Sequence, residues 1–253
     1  MPTVEIISQG DEVVTGQVTD TNAAWLATEL SRMGCAVRRH TTVGDVLEDI
    51  AAVLRETAER ADICVCTGGL GPTSDDLTAA AVSAAFSLPL WLDPEALAGI
   101  RQRMEQRGRP MAACNEKQAW LPQGSERMDN HWGTAPGFSL FQGSCWLVFL
   151  PGVPSEMHAM FTRWVKPRLL TQFTLSPPHR VVFHTTGSGE STLQERINGL
   201  NLPNHIRLGF LAQETGVQIK LVFTGHEDEP DRQHWVAAVT GILGDDVTRV
   251  DTD

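Results

Sequence analysis

Short apolar runs and helical stripes alternate from the start of the chain. Val4-Glu5-Ile6-Ile7 reads as a strand. Trp25, Leu26, Leu30 and Met33 then recur on one face of a helix over Asn22 to Met33, and Gly34 ends it. Ala36 to Val43 reads as the next strand. Asp45-x-x-Glu48 opens a second helix whose inner face carries Val46, Ile50, Val53, Leu54 and Thr57. Ile63 to Cys66 is a third apolar run. Gly68, Gly69 and Gly71 follow, then Leu77, Ala80, Ala81 and Ala84 on one face, with Thr73 or Ser74 placed to cap the helix. Three strand–helix alternations in a row predict a parallel, doubly wound α/β sheet.

Further on, Asp93-Pro94-Glu95 is a helix start, with Leu97, Ile100 and Met104 at helical spacing and Gly108 as the stop. Leu121 to Pro136 reads as polar loop. Phe138 to Phe141 and Cys145 to Leu150 read as a hairpin closed near Gln142-Gly143-Ser144. Met157, Met160, Phe161 and Trp164 give the next helix its buried face, and Pro167 ends or bends it. Thr171 to His179, with Ser176-Pro177-Pro178, reads as a linker. Beyond it come a strand (Arg180 to Thr186), a helix (Glu190 to Leu200), a hairpin (Arg207 to Gln213, Val217 to Thr224), a helix (Asp231 to Leu243) and a short strand (Val247 to Val250). That βαββαβ order predicts a small α+β domain over 173–253, after a larger one over 1–172.

Charge narrows the function classes. A net charge of −11 argues against DNA or RNA as partner. No apolar run is long enough to span a membrane, and Met1-Pro2-Thr3 leads straight into a strand, so neither a membrane role nor a signal peptide is expected. Five cysteines in no regular pattern fit a reducing cytoplasm. Cys64 and Cys66 are expected to point to opposite faces of their strand and to make a poor chelate. His131, His158, His184 and His226 fall in no metal-ligand spacing and read as surface or structural residues.

The stretch Thr67-Gly68-Gly69-Leu70-Gly71-Pro72-Thr73-Ser74-Asp75-Asp76 carries the candidate chemistry. A strand, a glycine turn and a helix start together make an anion site, because backbone N–H groups point at the ligand. The side chains have the wrong sign for that task. Asp75 and Asp76 are expected in the first helical turn, and no Lys or Arg occurs between Arg60 and Arg101. A divalent cation (Co²⁺, Mg²⁺ or Mn²⁺) between carboxylates and phosphate oxygens would reconcile the two. The plainer alternative is that both acids complement the helix dipole. Gly16 lies after the first strand as the central glycines do after the third, so Glu12, Asp20 and Asn22 are expected to approach Asp76 at the carboxyl ends of the strands. Asp20 reads equally as a helix cap, Glu12 as a solvated loop acid, and Asp45 as part of a capping box.

Lys117, one of three lysines, stands in Asn115-Glu116-Lys117-Gln118, where it is either an exposed lysine or a movable charge for a phosphate. Gly133-Thr134-Ala135-Pro136-Gly137, with Asn130 before it, is a turn of small residues suited to close ligand approach. Pro151-Gly152-Val153-Pro154-Ser155-Glu156-Met157 repeats the strand–glycine–helix logic, and Ser155 and Glu156 either cap that helix or bind a hydroxyl, phosphate or metal.

These five motifs, in this order, resemble the CinA family, whose N-terminal domain has the MogA/MoaB-like molybdopterin-binding fold. The resemblance is dense from Glu12 to Met157. Two local departures are Gly10-Asp11-Glu12-Val13-Val14-Thr15-Gly16, where the family usually has G-T-E-L-L-L-G, and Val153 in place of a proline. The resemblance implies a three-layer α/β domain followed by a small KH-like domain. It lifts Asp45 and Lys117 towards site roles and makes a homodimer expected. It also implies a metal-dependent pyrophosphatase that splits ADP-ribose, a nucleotide-sugar, into AMP and ribose 5-phosphate. Asp76, Asp45 and Lys117 are then the expected catalytic groups, and Glu12, Asp20, Asp75 and Asp76 the expected metal ligands. Molybdopterin adenylyl transfer and non-catalytic nucleotide or pterin sensing are the alternatives. The third domain of many CinA proteins, a nicotinamide mononucleotide deamidase, is expected to be absent.

Overall fold

The computed structural model describes residues 1–225 and 228–252, so His226 lies outside the described residues. The chain divides into two compact units, Met1–Leu175 and Ser176–Asp253.

The first unit is built on a six-stranded sheet. Its elements run β1 (Thr3–Gln9), a short α1 (Asp11–Val14), α2 (Thr21–Arg32), β2 (Ala36–Val43), α3 (Leu47–Arg60), β3 (Ile63–Thr67), α4 (Thr78–Phe86), β4 (Leu90–Leu92) and α5 (Pro94–Gln106). A 3₁₀ segment (Ala113–Ala119) then leads to β5 (Trp120–Pro122), β6 (Glu126–Met128), β7 (Gly137–Gln142), β8 (Cys145–Leu150) and α6 (Pro154–Met160). A π-type segment (Phe161–Val165) joins α6 to α7 (Lys166–Gln172). The sheet order is β2-β1-β3-β8-β7-β6, while β4 and β5 form a separate antiparallel pair. β2, β1, β3 and β8 are parallel, and β7 and β6 add antiparallel strands at one edge.

Burial explains the apolar runs. β3 and β8 are buried along their whole length, so no polar alternation is needed. Val4, Ile6, Ile63, Val65, Trp146 and Val148 pack with α2 and α6 on one face. Ile7, Cys64, Cys66, Leu147 and Phe149 pack with α3 and α4 on the other. This arrangement corrects the expectation for the cysteine pair. Residues two apart on a strand share a face, and the two thiol sulfurs lie 3.5 Å apart in the core.

Two helix starts also differ from expectation. α4 begins at Thr78, so Asp75 and Asp76 precede it. The Asp76 carboxylate accepts from the Thr73 amide (2.8 Å) and the Thr73 hydroxyl (2.5 Å), which closes 73–76 as a turn of its own. α3 begins at Leu47 with Val46 at its cap position and no side-chain cap, because the Asp45 carboxylate is engaged elsewhere. Pro167 stays inside a continuous run of helix, directly after the π-type segment that loosens the register before it.

The second unit contains β9 (His179–Thr185), α8 (Glu190–Asn198), β10 (Ile206–Gln213), β11 (Gly216–Phe223), α9 (Glu229–Leu243) and β12 (Val247–Thr252). Its antiparallel order β10-β11-β9-β12 is that of a split βαβ sandwich, with Val181, Phe183, Ile219, Leu221, Leu193 and Val239 at its centre.

Candidate functional site

Ligands of doubly wound sheets bind beyond the carboxyl ends of the strands, where the winding direction changes. Here that point lies between β1 and β3. β1 ends in two buried polar residues, Ser8 and Gln9, that face opposite sides of the sheet. The Gln9 amide donates from Nε2 to Asp45 Oδ1 (2.9 Å), and its Oε1 lies 2.5 Å from the Thr78 hydroxyl. Asp45 Oδ2 accepts from the Asp11 amide (3.1 Å), and the Asp45 amide donates to Asp11 Oδ1 (3.0 Å). Gln9 and Asp45 thus tie the ends of β1 and β2 to the start of α4.

The glycines make room for polar side chains. Gly69 has φ +65° and lies directly on the Gln9 carboxamide, where any Cβ would overlap it. Gly133 stands in the same relation to the Glu156 carboxylate. Asn130 organises that second region. Its Oδ1 accepts from the amides of Trp132 (3.0 Å) and Gly133 (2.8 Å), and its Nδ2 donates to Ala135 O (2.9 Å) and Glu156 Oε2 (2.7 Å).

Of these groups, Gln9, Asp45, Gly69 and Glu156 line a cleft of about 380 Å³, and Gly133 and Asn130 lie outside its lining. Five carboxylates line it: Glu12, Asp45, Asp75, Asp76 and Glu156. Gly68, Gly69, Gly71, Thr134, Pro151 and Gly152 supply its backbone walls, and Gln118 closes one side. Among the described residues no Lys or Arg lines it. The Thr73 hydroxyl, which Asp75 shares with Asp76, and the Asp75 amide hold the exposed Asp75 carboxyl below the usual carboxylate range, and Lys117 adds a smaller pull.

Several predicted residues stand apart from the cleft. Asp20, Asn22 and Thr67 line an adjoining cavity of about 120 Å³ that shares Gln9, Glu12 and Gly152 with it. Asp20 Oδ1 caps α2 by accepting from the Ala23 amide (2.8 Å). Lys117 Nζ reaches the carbonyls of Thr73 (2.5 Å) and Ser74 (3.5 Å), so it braces the glycine loop from outside. The Asn115 carboxamide is used within the 3₁₀ segment, accepting from the Ala112 amide and donating to Gln118 Oε1. Gly16, Thr73 and Ser155 are exposed and line neither cavity.

Ser8, Gln9 and Gln118 were missed as site residues. The available signal was positional: Ser8 and Gln9 are the polar pair that ends an apolar strand before Gly10, and Gln118 is the neighbour of the rarer Lys117.

A divalent cation fits part of this donor set. Among the described residues no three His, Cys, Asp or Glu side chains converge as a ready cage. Asp45 and Asp76 already accept hydrogen bonds, whereas among the described residues no donor reaches the Glu12 carboxylate. The arrangement suits a hard cation held by one or two carboxylates, with the remaining positions left to water and ligand phosphate oxygens.

Residues 5–171 match the model of the probable molybdopterin binding domain family. The chain is 40% identical over 234 residues to a "CinA-like protein" of Escherichia coli (strain SMS-3-5 / SECEC), covering 92% of this chain and 58% of that protein. The same figures hold for the "NMN amidohydrolase-like protein YfaY" of Escherichia coli (strain K12), so the chain spans somewhat over half the length of these relatives. A crystal structure of the protein CinA, "with unknown function", from Thermoplasma acidophilum aligns at 34% identity and TM-score 0.61, covering 66% of this chain and 97% of that one. Family match, relatives and fold agree: the chain belongs to the molybdopterin-binding-domain family, among its CinA-like members.

Proposed function

We propose that the cleft binds a ligand carrying an adenylyl-type phosphoanhydride, with the help of a divalent cation, and that the chain acts on that linkage. The observation that carries this reading is the combination of five carboxylates, no lining Lys or Arg and three loop glycines at the winding switch of the sheet. When bound, the cation would neutralise phosphate charge and polarise phosphorus. Glu12 and Asp75 are the carboxylates proposed to hold it. Asp76, fixed by Thr73, and Asp45, fixed by Gln9 and Asp11, are proposed to orient the attacking group, because a hydrogen-bonded carboxylate keeps one geometry. Lys117 would act at one remove, by holding the 73–74 backbone.

Family membership favours a molybdopterin ligand, and adenylyl transfer is the reaction proposed for it. Hydrolysis of ADP-ribose to AMP and ribose 5-phosphate is the second reading. It is favoured by the cleft's surplus of carboxylates able to activate water. The amidohydrolase name borne by one relative belongs to a protein that this chain only partly spans, and it is not part of the proposal. A cytoplasmic homodimer completes the proposal, and light scattering checks the assembly.

One assay separates the readings. The protein is incubated with Co²⁺, Mg²⁺ or Mn²⁺ and either ADP-ribose, FAD or NAD, or molybdopterin with ATP, and AMP release or adenylyl transfer is followed. Turnover of either kind is expected, and Asp76→Asn should lower it by at least about tenfold. Turnover unaffected by Asp76→Asn would remove that residue from the mechanism. Binding without turnover under every metal would favour a sensor.

A further inference from the structure

An open sheet ends in strands whose outer backbone groups have no neighbour, and natural sheets blunt such edges because they recruit other chains. Among the described residues, every edge but one is blunted. β2 carries Arg38, Arg39 and His40 in a row, and its pairing with β1 skips Arg38. β4, β5 and β6 are three residues long. β12 carries Arg249 and Asp251, and its pairing with β9 skips Thr248. β10 differs. It runs for eight residues in unbroken register with β11, with Arg207 as its single charge and no proline.

The hairpin decides which backbone groups of β10 point outward. The two-residue turn Glu214-Thr215 closes on Gln213 and Gly216, a hydrogen-bonded pair. The same phase sets His205 opposite Thr224, whose amide donates to His205 O (2.9 Å). Leu208, Phe210 and Ala212 therefore turn their N–H and C=O groups away from β11. No strand of the sheet lies on that side, because β10 ends it. The side chains are open there too. Leu208 and Phe210 pack against the core of the unit and stay only half-buried, and Ala212 is exposed. On the other face Leu211 is 48% exposed, and a Cβ at Gly209 would meet only Lys220 Cβ, at 4.0 Å.

One register of a second, antiparallel β10 answers both sets of groups. With Phe210 opposite its own counterpart, Leu208 lies opposite Ala212. All three outward residues then fall in hydrogen-bonded pairs, about six interchain bonds in total. The same register sets Leu211 of each copy beside Gly209 of the other, where the missing side chain leaves room. It also keeps the two Arg207 side chains at opposite ends of the ladder, each opposite Gln213.

We propose that β10 is a dimer interface, pairing with β10 of a second copy of this chain across a twofold axis at Phe210 to make one eight-stranded sheet. This rests on the proposed homodimer and names its surface, and the chemistry of the cleft does not enter. Antiparallel pairing of one strand with itself closes at two copies. A single ladder makes a weak, concentration-dependent dimer.

The test is sedimentation velocity of the full chain over a concentration series, for the wild type, Ala212→Pro and Leu211→Lys. Salt of about 0.15 M screens the net charge of −11 on each copy. Proline at 212 deletes an amide that faces away from β11, so the hairpin is kept. Leu211→Lys fills the space beside Gly209 with a charge that faces Lys220 across it. The wild type should dimerise, and each variant should weaken the dimer by at least about tenfold with an unchanged circular dichroism spectrum. Should Ala212→Pro alter the spectrum, Leu211→Lys decides. Variants that dimerise as tightly as the wild type overturn the inference alone and move the homodimer to another surface. A wild type that stays monomeric at every concentration, or forms a trimer, overturns the inference and the homodimer together. AMP titration with Mn²⁺ judges the cleft separately in either case.

Discussion

Glu5 is a buried acid at the centre of the sheet that has no part in the site. Its side chain takes both arms of Arg60, Nε to Oε1 (2.8 Å) and Nη2 to Oε2 (2.9 Å), with Thr57 behind. Burial opposes its charged form, but Arg60, with Arg39 and Thr57, outweighs it and holds the carboxyl below its ordinary range. A lowered folded pKa means the pair stabilises fully above the unfolded pKa and is lost as pH falls through the folded one. Glu5→Gln should therefore cost about 1–2 kcal/mol at pH 7, where it leaves Arg60 only its exposed partner Glu56, and the gap to the wild type should narrow as pH falls below about 4.5. Urea unfolding across that range checks it, and a gap independent of pH would contradict it. At this scale the sequence was legible where residue type alone decides, as with the acids around Gly68–Gly71. It was illegible where one position decides. Rarity pointed to Lys117, but the cleft wall is Gln118, and Gln9 carries the hydrogen bonds that hold Asp45.

Helix α4 shows how an element can be recognised and still be misplaced. Its existence was plain in the sequence, but its start and part of its inner face were not: Ala81 is buried as expected, whereas Ala84 is exposed and Thr78 and Val82 are buried instead. Two acids before an apolar stripe look like first-turn residues, yet Asp76 folds back on Thr73, and the Thr78 amide bonds to Gly69 O (3.1 Å). The local turn wins because it satisfies a carboxylate that the helix start would leave to solvent. The other end of α4 offers a test. Ser87 ends the helix at φ 56°, ψ 40°, a left-handed conformation costly for a residue with a Cβ. Ser87→Gly should stabilise the protein by about 0.5–1 kcal/mol in chemical denaturation, and a loss of stability would contradict the strain argument. The parallel strands and their helices were readable because each carries a long period. α1 and the three-residue strands β4, β5 and β6 were not, because so few residues display no period.

At the scale of the whole molecule, the candidate site lies in the loops of one unit. Each unit has its own buried core, and both cavities described above belong to the first. The chain carries a net charge of −11, and the cleft adds a local concentration of the same sign. Long-range and local fields therefore both repel a phosphorylated ligand, and like charges in a partly enclosed site are not removed by ordinary salt. The account stands on a cation closing that gap. The most direct measurement is the affinity of the full chain for AMP, the group common to both proposed reactions, titrated once with Mn²⁺ and once in chelator. The account predicts binding at least about tenfold weaker in chelator. Equal affinity in both conditions would contradict it.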